Sequence, residues 1–289
     1  MAVLIGKDTQ VLIQGITGRQ GNYHTLKMLE YGVRVVGGVT PGRGGQEVHR
    51  IPVFSSISEA RERFLIDASM ILVPPTGVLR AAFEAIENKI PLIVIITEFV
   101  PVHDVMIINS LARRNGCRVV GPNTIGLISP GKSKVGIMPG NLYNEGNVGI
   151  ISRSGTLTHE ISSNLTFNGM GQSTAIGIGG DPVKGMDFTD ALDLFRYDGE
   201  TESVIMIGEI GGTGEEEAAR YIKETSYPKP VFAFIAGRTA PPEKKMGHAG
   251  AMVQKGAGTV QSKVKSLADS GVMVAQTLEE LVQMVKSVD

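Results

Sequence analysis

The stretch Val11-Leu12-Ile13-Gln14-Gly15-Ile16-Thr17-Gly18-Arg19-Gln20-Gly21 decides the fold of the first half of the chain. An apolar run of strand type leads directly into a glycine-rich loop, and a helical pattern follows near 20–31. A strand that turns sharply into a helix places backbone N–H groups and the helix N-terminus where a phosphate can bind. The glycine spacing is GxxGxxG, whereas dinucleotide-binding folds usually show GxGxxG. The loop alone therefore does not identify its ligand.

Strands and helices alternate outward from this stretch. In the first half, strands are predicted at 11–13, 33–36, 70–73, 92–96 and 118–120, and helices near 20–31, 57–65, 77–88 and 103–115. In the second half, strands are predicted at 147–152, 173–178, 203–208, 231–236 and 272–275, and helices near 155–167, 187–197, 214–225, 260–270 and 277–287. The alternation predicts two doubly wound α/β domains, 1–122 and 147–289, joined by a linker with irregular strands at 123–146.

Composition excludes several classes of protein. The net charge is -1 over 289 residues, which argues against general binding to nucleic acid or to a membrane surface. Cys117 is the single cysteine, so an intramolecular disulfide and a cysteine-rich metal site are excluded. We see neither a zinc-type histidine spacing nor a signal peptide nor an apolar run long enough for a bilayer. We therefore expect no metal site in this chain and a cytoplasmic location.

A second glycine-rich loop, 37–45, follows the second predicted strand. Dinucleotide folds usually place an acid here for the ribose, but this loop carries Arg43 instead. A guanidinium pairs well with phosphate, so the loop favours coenzyme A, with its 3′-phosphate and pyrophosphate, over NAD. Ile96, Thr97 and Glu98 end the fourth strand, where ligands of such sheets bind. Alternatively, Arg43 is a solvated loop residue and Glu98 a helix-start acid.

The segment after the first strand of the second domain also suits an anion. Ser154, Gly155 and Thr156 begin the next predicted helix and follow Arg153. They offer N–H groups and hydroxyls to a phosphate or a carboxylate. An N-cap needs only one such residue, so several together favour the anion.

His248 lies in Lys245-Met246-Gly247-His248-Ala249-Gly250-Ala251, where glycines leave the imidazole accessible. A ring presented in this way suits nucleophilic chemistry in which the histidine carries a transferred group. Glu209 ends another predicted strand between glycines and could accept a hydrogen bond from the imidazole, or it could cap the next helix. The run 215–217, three glutamates, is predicted to be a solvated helix start.

Taken in order, these motifs resemble the α subunits of the succinyl-CoA synthetase family, the NDP-forming succinate–CoA ligases. The resemblance covers nearly the whole chain and rests on GITGRQG, GGVTPGRGG, ITE, GPN, SRSGTLT, GQST, GIGGDP, MIGEIGG, IAGRTAP and GHAGA. It implies a Rossmann-like CoA-binding domain followed by a flavodoxin-like domain that carries a phosphohistidine.

The resemblance also implies roles for residues. His248 matches the phosphorylated histidine and Glu209 the glutamate that holds its ring. The N-terminus of the helix that starts at Ser154, Gly155 and Thr156 receives the phosphohistidine. CoA binding is implied for Thr17, Gly18, Arg19, Gln20, Arg43, Ile96, Thr97 and Glu98.

A partner is implied as well, a β subunit with an ATP-grasp fold that binds ATP or GTP and Mg²⁺, in an αβ or α2β2 assembly. NTP would phosphorylate His248, succinate would take the phosphoryl group, and the CoA thiol would displace phosphate in this step of the citric acid cycle.

The chain departs from the family pattern at several positions. Arg43 stands where a Lys is common, and Arg19 replaces a smaller residue. Asn123 and Thr124 fall in an altered Gly-Pro-Asn segment, and His159 replaces a Tyr. The segment with Thr124 and the position of His159 lie where the family holds the dicarboxylate, so malate is an alternative to succinate. Two further alternatives are an oxidoreductase, disfavoured by the glycine spacing, and a CoA-sensing module, which would not need Glu209 and His248.

Overall fold

The structure is a computed structural model that describes residues 3–238, 248, 250–251 and 258–288. Within these residues, two seven-stranded sheets form, one in each half of the chain. Within the same residues, no helix has the length and apolar character needed to cross a membrane.

The first domain contains seven strands and four helices in the described part of the chain. In order they are β1 (Gln10–Gln14), α1 (Arg19–Glu30), β2 (Arg34–Val39), β3 (Glu47–Val48), β4 (Ile51–Phe54), α2 (Ile57–Arg61), β5 (Ala68–Ile71), α3 (Pro75–Glu87), β6 (Leu92–Ile95), α4 (Val102–Arg114) and β7 (Arg118–Val120).

The strand order of the first sheet is β3-β4-β2-β1-β5-β6-β7. All neighbours pair in parallel except β3, which pairs antiparallel with β4. Strands β5 and β6 are buried along their whole length, as expected for a parallel sheet with helices on both faces. The order changes direction between β1 and β5, which is where ligands of doubly wound sheets bind. The Rossmann-like prediction is therefore confirmed.

The second domain begins with a hairpin in the segment 123–146 and continues with alternating strands and helices. In order the elements are β8 (Gly126–Ser129), β9 (Ser133–Gly136), a 3-10 turn (Gly140–Leu142), β10 (Glu145–Ser152), α5 (Gly155–Phe167), β11 (Gln172–Gly177), α6 (Phe188–Arg196), β12 (Ser203–Glu209), α7 (Gly214–Glu224), β13 (Val231–Ala236), α8 (Val260–Ala268), β14 (Met273–Ala275) and α9 (Leu278–Lys286).

The second sheet has the order β14-β13-β12-β10-β11-β8-β9. Its five parallel strands follow the flavodoxin-like order, with β10 between β11 and β12, which confirms the predicted fold class. Strand β8 pairs antiparallel with β11, and β9 pairs antiparallel with β8. The hairpin therefore extends the second sheet.

Helix α6 illustrates how the sequence sets these elements. Asp187 accepts a hydrogen bond from the backbone N–H of Asp190, and Asp190 accepts one from the backbone N–H of Asp187. This capping box satisfies two N–H groups at the helix start. Phe188, Leu192 and Phe195, three to four positions apart, are buried against the sheet.

The two domains meet beside α1 and the β8–β9 hairpin. The Tyr31 hydroxyl accepts a hydrogen bond from the backbone N–H of Gly131 at 3.2 Å. The Lys134 ammonium lies 5.3 Å from the centroid of the Tyr31 ring. On another side of the boundary, the Asn109 amide donates to the carbonyl of Lys184 at 2.9 Å. These contacts bring the carboxyl ends of strands from both sheets to one cavity.

Candidate active site

A cavity of about 800 Å³ lies between the two domains. The carboxyl ends of β5 and β6 and the loop after β1 form one wall, and the loops after β10 and β11 form the other. Most residues predicted for the site line this cavity: Gly18, Arg19, Gln20, Ile96, Thr97, Glu98, Asn123, Thr124, Ser154, Gly155, Thr156 and His248.

The first wall is built around the start of α1. Gly18 is the N-cap residue, and no described side chain caps this helix or places an acid in its first turn. The first backbone N–H groups of α1 are therefore available to an anion. A Cβ atom at Gly21 would lie 2.1 Å from the carbonyl oxygen of Gly15, so only glycine allows the helix to begin this close to the loop.

Two predicted CoA residues lie near this wall but outside the cavity lining formed by the described residues. The Thr17 hydroxyl donates to that of Thr40 at 3.1 Å, which ties the loop after β1 to the loop after β2. Arg43 is exposed in the latter loop, and its backbone N–H donates to the Thr40 carbonyl at 3.0 Å. Arg43 is therefore solvent-exposed in the loop that Thr40 joins to the loop after β1.

The opposite wall is the start of α5. The Ser154 hydroxyl accepts a hydrogen bond from the backbone N–H of Leu157 at 3.3 Å and so caps the helix. The Ser152 hydroxyl accepts from the N–H of Ser154 at 3.0 Å, which fixes the turn after β10. Gly155 and Thr156 follow at the cavity surface, where the positive end of the helix dipole faces the cavity.

His248 lies where these walls meet, and its side chain is 30% exposed. Its Nδ1 atom is 2.9 Å from Oε2 and 3.1 Å from Oε1 of Glu209, the last residue of β12. A carboxylate only accepts hydrogen bonds, so Nδ1 carries the proton and Nε2 keeps its lone pair. The ring packs on Gly180, where a Cβ atom would lie 2.5 Å from the imidazole Cγ. The remaining residues of 245–251, except Gly250 and Ala251, lie outside the described residues.

Arg153 lies beneath this pair, and sequence reasoning did not anticipate its role there. Its Nη2 is 3.2 Å from Oε1 of Glu209, and its Nη1 is 3.1 Å from Oε1 of Glu215. Nη1 also donates to the carbonyl of Gly211 at 3.0 Å. A Cβ atom at Gly250, two positions after His248, would lie 2.9 Å from Nη2. Arg153 is thus enclosed between two carboxylates and the histidine segment.

The prediction that 215–217 is solvated was wrong for Glu215, which is fully buried. Its carboxylate pairs with Arg153 and with Lys263, a fully buried ammonium of α8, and accepts the backbone N–H of Glu209 at 3.0 Å. Sequence periodicity cannot show these partners, because they come from distant strands and helices. The Glu216 carboxylate also pairs with the Lys263 ammonium, at 3.0 Å, and Glu216 is only partly exposed.

The charges around the imidazole set its protonation. The hydrogen bond with Glu209 raises the pKa of His248 above its ordinary value of 6.5, against burial and Arg153, which lower it. Burial alone would raise the pKa of Glu215, but Arg153 and Lys263 hold that carboxyl below its usual pKa. Glu215 is therefore ionised, and its negative charge is neutralised inside the protein.

The residues predicted on the substrate side lie in different surroundings. The Asn123 amide donates to Asp181 at 2.9 Å, and the Thr124 hydroxyl donates to the carbonyl of Gly177. His159 lies on α5 outside the cavity lining formed by the described residues, with Nδ1 2.8 Å from the Tyr143 hydroxyl. Burial lowers the pKa of His159, so this ring is neutral near pH 7.

Comparisons with known proteins agree with this architecture. The sequence profile of the CoA binding domain matches residues 6–99, and that of CoA-ligase matches residues 151–273. In the described residues, no group of three or more His, Cys, Asp or Glu side chains could hold a metal ion.

Two archaeal relatives match over nearly their full lengths. Succinate–CoA ligase [ADP-forming] subunit alpha 1 of Archaeoglobus fulgidus is 50% identical over 288 residues, 100% of this chain and 98% of the relative. The corresponding α subunit of Methanothermobacter thermautotrophicus is 52% identical over 285 residues, 99% and 96% of the two chains. ATP citrate lyase from Methanothrix soehngenii, solved with citrate and coenzyme A, shares the fold at 22% identity with a TM-score of 0.90, over 99% of this chain and 50% of that one. By these matches, the chain is a CoA ligase subunit with a CoA-binding domain, and it belongs to the family of succinate–CoA ligase α subunits.

Proposed function

We propose that this chain joins succinate to CoA at the expense of ATP, and that Nε2 of His248 carries the phosphoryl group between the half-reactions. The observation that carries the proposal is the contact between His248 and Glu209 at the edge of the cavity. With Nδ1 held as a donor, the lone pair of Nε2 is available for nucleophilic attack.

The proposed reaction has three reversible steps. Nε2 of His248 attacks the γ-phosphorus of ATP, the bond to the bridging oxygen breaks, and ADP leaves. A carboxylate oxygen of succinate then attacks phosphorus, the P–N bond breaks, and succinyl phosphate forms while the imidazole becomes neutral again. The CoA thiolate finally attacks the acyl carbon, and inorganic phosphate leaves.

The start of α5 supports the phosphoryl group in this scheme. Ser154, Gly155 and Thr156 present a helix N-terminus to the same cavity that His248 lines. Backbone donors and the helix dipole stabilise a phosphate without a net charge of their own. The uncapped start of α1 on the other wall suits the pyrophosphate of CoA, and the exposed guanidinium of Arg43 in the loop after β2 suits its 3′-phosphate.

ATP and Mg²⁺ are assigned to a partner chain. The relatives are named as α subunits of ADP-forming ligases, which supports a β partner and the choice of ATP. We propose an ATP-grasp fold for that partner, in an αβ or α2β2 assembly. The lack of a metal-binding group among the described residues is compatible with a metal on the other chain.

Succinate is the acid favoured over malate. Malate would use Thr124 and His159 as extra polar partners, yet the Thr124 hydroxyl donates to the carbonyl of Gly177, and Nδ1 of His159 is hydrogen-bonded with the Tyr143 hydroxyl. The proton of the Thr124 hydroxyl is therefore already engaged, and His159 lies outside the cavity lining formed by the described residues.

Substitution of His248 by Asn separates a ligase from a CoA-binding module. We expect the His248→Asn enzyme, assembled with its β partner, to lose succinyl-CoA formation while it binds CoA with unchanged affinity. The measurements are turnover by release of phosphate and CoA affinity by calorimetry. Normal turnover by this variant would exclude the phosphohistidine.

A further inference from the structure

The guanidinium of Arg153 is committed to the protein's own carboxylates. Sequence reasoning placed Arg153 beside an anion-binding loop, which suggested a role in binding phosphate or substrate. In the structure its side chain is 5% exposed and pairs with Glu209 at 3.2 Å and with Glu215 at 3.1 Å. A guanidinium buried between two carboxylates binds a third anion weakly, because the two carboxylates already neutralise its charge.

The second carboxylate has another cation of its own. Lys263 is fully buried and pairs with Glu215 and Glu216, and it donates to the carbonyl of Gly212 at 3.0 Å. Lys263 thus shares in the neutralisation of Glu215, which leaves Arg153 able to neutralise Glu209. The chain of contacts runs from α8 through α7 to the end of β12, and it ends at the imidazole of His248.

The backbone at Glu209 is fixed by the same group of residues. The N–H of Glu209 donates to Oε1 of Glu215 at 3.0 Å, the oxygen that also contacts Arg153. Nη1 of Arg153 donates to the carbonyl of Gly211, two positions later. Both the main chain and the carboxylate of Glu209 are therefore held by contacts within this network.

We infer that Arg153 is a positioning residue of the phosphoryl-transfer step, which holds the Glu209 carboxylate in place and directed at Nδ1 of His248. The inference rests on the proposed function for its kinetic consequence. Gly250 belongs to the same arrangement, since a side chain there would lie against Nη2. Arg153 acts through Glu209, so its effect requires the Glu209 carboxylate.

A double-mutant cycle tests this dependence. Arg153→Met is made in the native background and in Glu209→Gln, with Arg153→Lys as the milder variant and Arg113→Met as a control. Arg113 is an exposed cation of α4 outside this network. We expect Arg153→Met to slow ATP-dependent phosphorylation of His248 about 100-fold in the native background, with little further loss in Glu209→Gln. Arg153→Lys should retain part of the rate.

The same cycle is run with diethyl pyrocarbonate at pH 8.5, which acylates neutral imidazoles and requires no phosphoryl transfer. Modification of His248 is followed by peptide mass spectrometry, with the exposed His103 as the internal reference. We expect Arg153→Met to slow acylation of His248 only when Glu209 is present. Because acylation does not depend on phosphoryl transfer, this measurement tests the role of Arg153 even if the proposed function is wrong.

Two results would overturn the inference. One is an equal loss from Arg153→Met in both backgrounds, which a purely structural role would give. The other is a raised KM for succinate or CoA with unchanged kcat, which would make Arg153 a substrate-binding residue. Circular dichroism and assembly with the β partner exclude unfolding in each variant, and Arg153→Lys carries the test if Arg153→Met does not fold.

Discussion

His248 Nδ1 and Glu209 Oε2 lie 2.9 Å apart although 39 positions separate the two residues in the chain. One comes from a glycine-flanked segment after β13 and the other from the end of β12. The contact favours the tautomer in which Nδ1 carries the proton, so Nε2 is the nitrogen that reacts.

As the pH is lowered, phosphorylation of His248 should be lost at a higher pH than for a histidine of ordinary pKa. The hydrogen bond with Glu209 raises the pKa of this imidazole, against burial and Arg153, which lower it. A raised pKa keeps Nε2 protonated, and so unreactive, to higher pH. We therefore expect the rate of phosphorylation to fall through a midpoint above 6.5 as the pH is lowered.

In Glu209→Gln the acid limb should move to lower pH, since the main cause of the raised pKa is removed, and the plateau rate should also fall. Single-turnover labelling between pH 5.5 and 8.5 measures both. A midpoint that does not move in Glu209→Gln would show that this carboxylate does not control the imidazole.

Gly180→Ala should misplace the reactive ring. A Cβ at this position would lie 2.5 Å from Cγ of His248, so the ring must shift. A displacement of about 1 Å at a reacting group can cost about 100-fold in rate. We expect Gly180→Ala to slow phosphorylation of His248 by this factor and to leave the affinity for CoA unchanged.

Gly199→Ala is the matched control, because a Cβ there meets nothing within 4 Å. Equal activity of Gly180→Ala and the native enzyme would mean that the ring does not rely on this surface.

The periodicity of the sequence was sufficient for most of the framework. The buried four-residue strand Leu92–Ile95 and the amphipathic helix Phe188–Arg196 carry their own signals, and both lie close to their predicted positions. The hairpin of β3 with β4 was not predicted, because Glu47–Val48 is too short to show an alternation.

The interior of the site was harder to predict. Glu215 appeared solvated in sequence because acids are common in the first turn of a helix. Its burial depends on Arg153, 62 positions away, and on Lys263, 48 positions away. The contact between Glu215 and Arg153 depends on which strand lies beside β10 in the sheet. The local sequence does not show which strands are neighbours.

Loss of Lys263 should destabilise the second domain. The ammonium is fully buried and neutralises Glu215, which would be left with Arg153 alone. Removing one partner of a buried ion pair commonly costs about 3–5 kcal/mol. We expect Lys263→Met to lower the free energy of unfolding by about 3 kcal/mol, the lower end of that range.

Lys265→Met, at an exposed position of the same helix, should change stability by less than about 0.5 kcal/mol. Urea unfolding of the isolated chain measures both. Equal stabilities of the two variants would contradict a role for Lys263 in the network.

Arg43→Ala should weaken binding of CoA by about tenfold, which corresponds to 1.4 kcal/mol for a lost charge-assisted contact with phosphate. Dephospho-CoA lacks the 3′-phosphate, so its affinity should be the same for Arg43→Ala and the native chain. Arg80→Ala removes an exposed cation of α3 and serves as the control. An equal loss for CoA and dephospho-CoA would place Arg43 elsewhere on the ligand.

Phosphorylation of the assembled enzyme tests the central claim most directly. The chain is mixed with its β partner, Mg²⁺ and γ-labelled ATP, and the labelled residue is identified by peptide mapping. We expect acid-labile, base-stable label on His248 that is discharged by succinate together with CoA. Discharge by malate in place of succinate would change the acid but keep the phosphohistidine. No label on His248 with a competent partner would contradict the proposed mechanism.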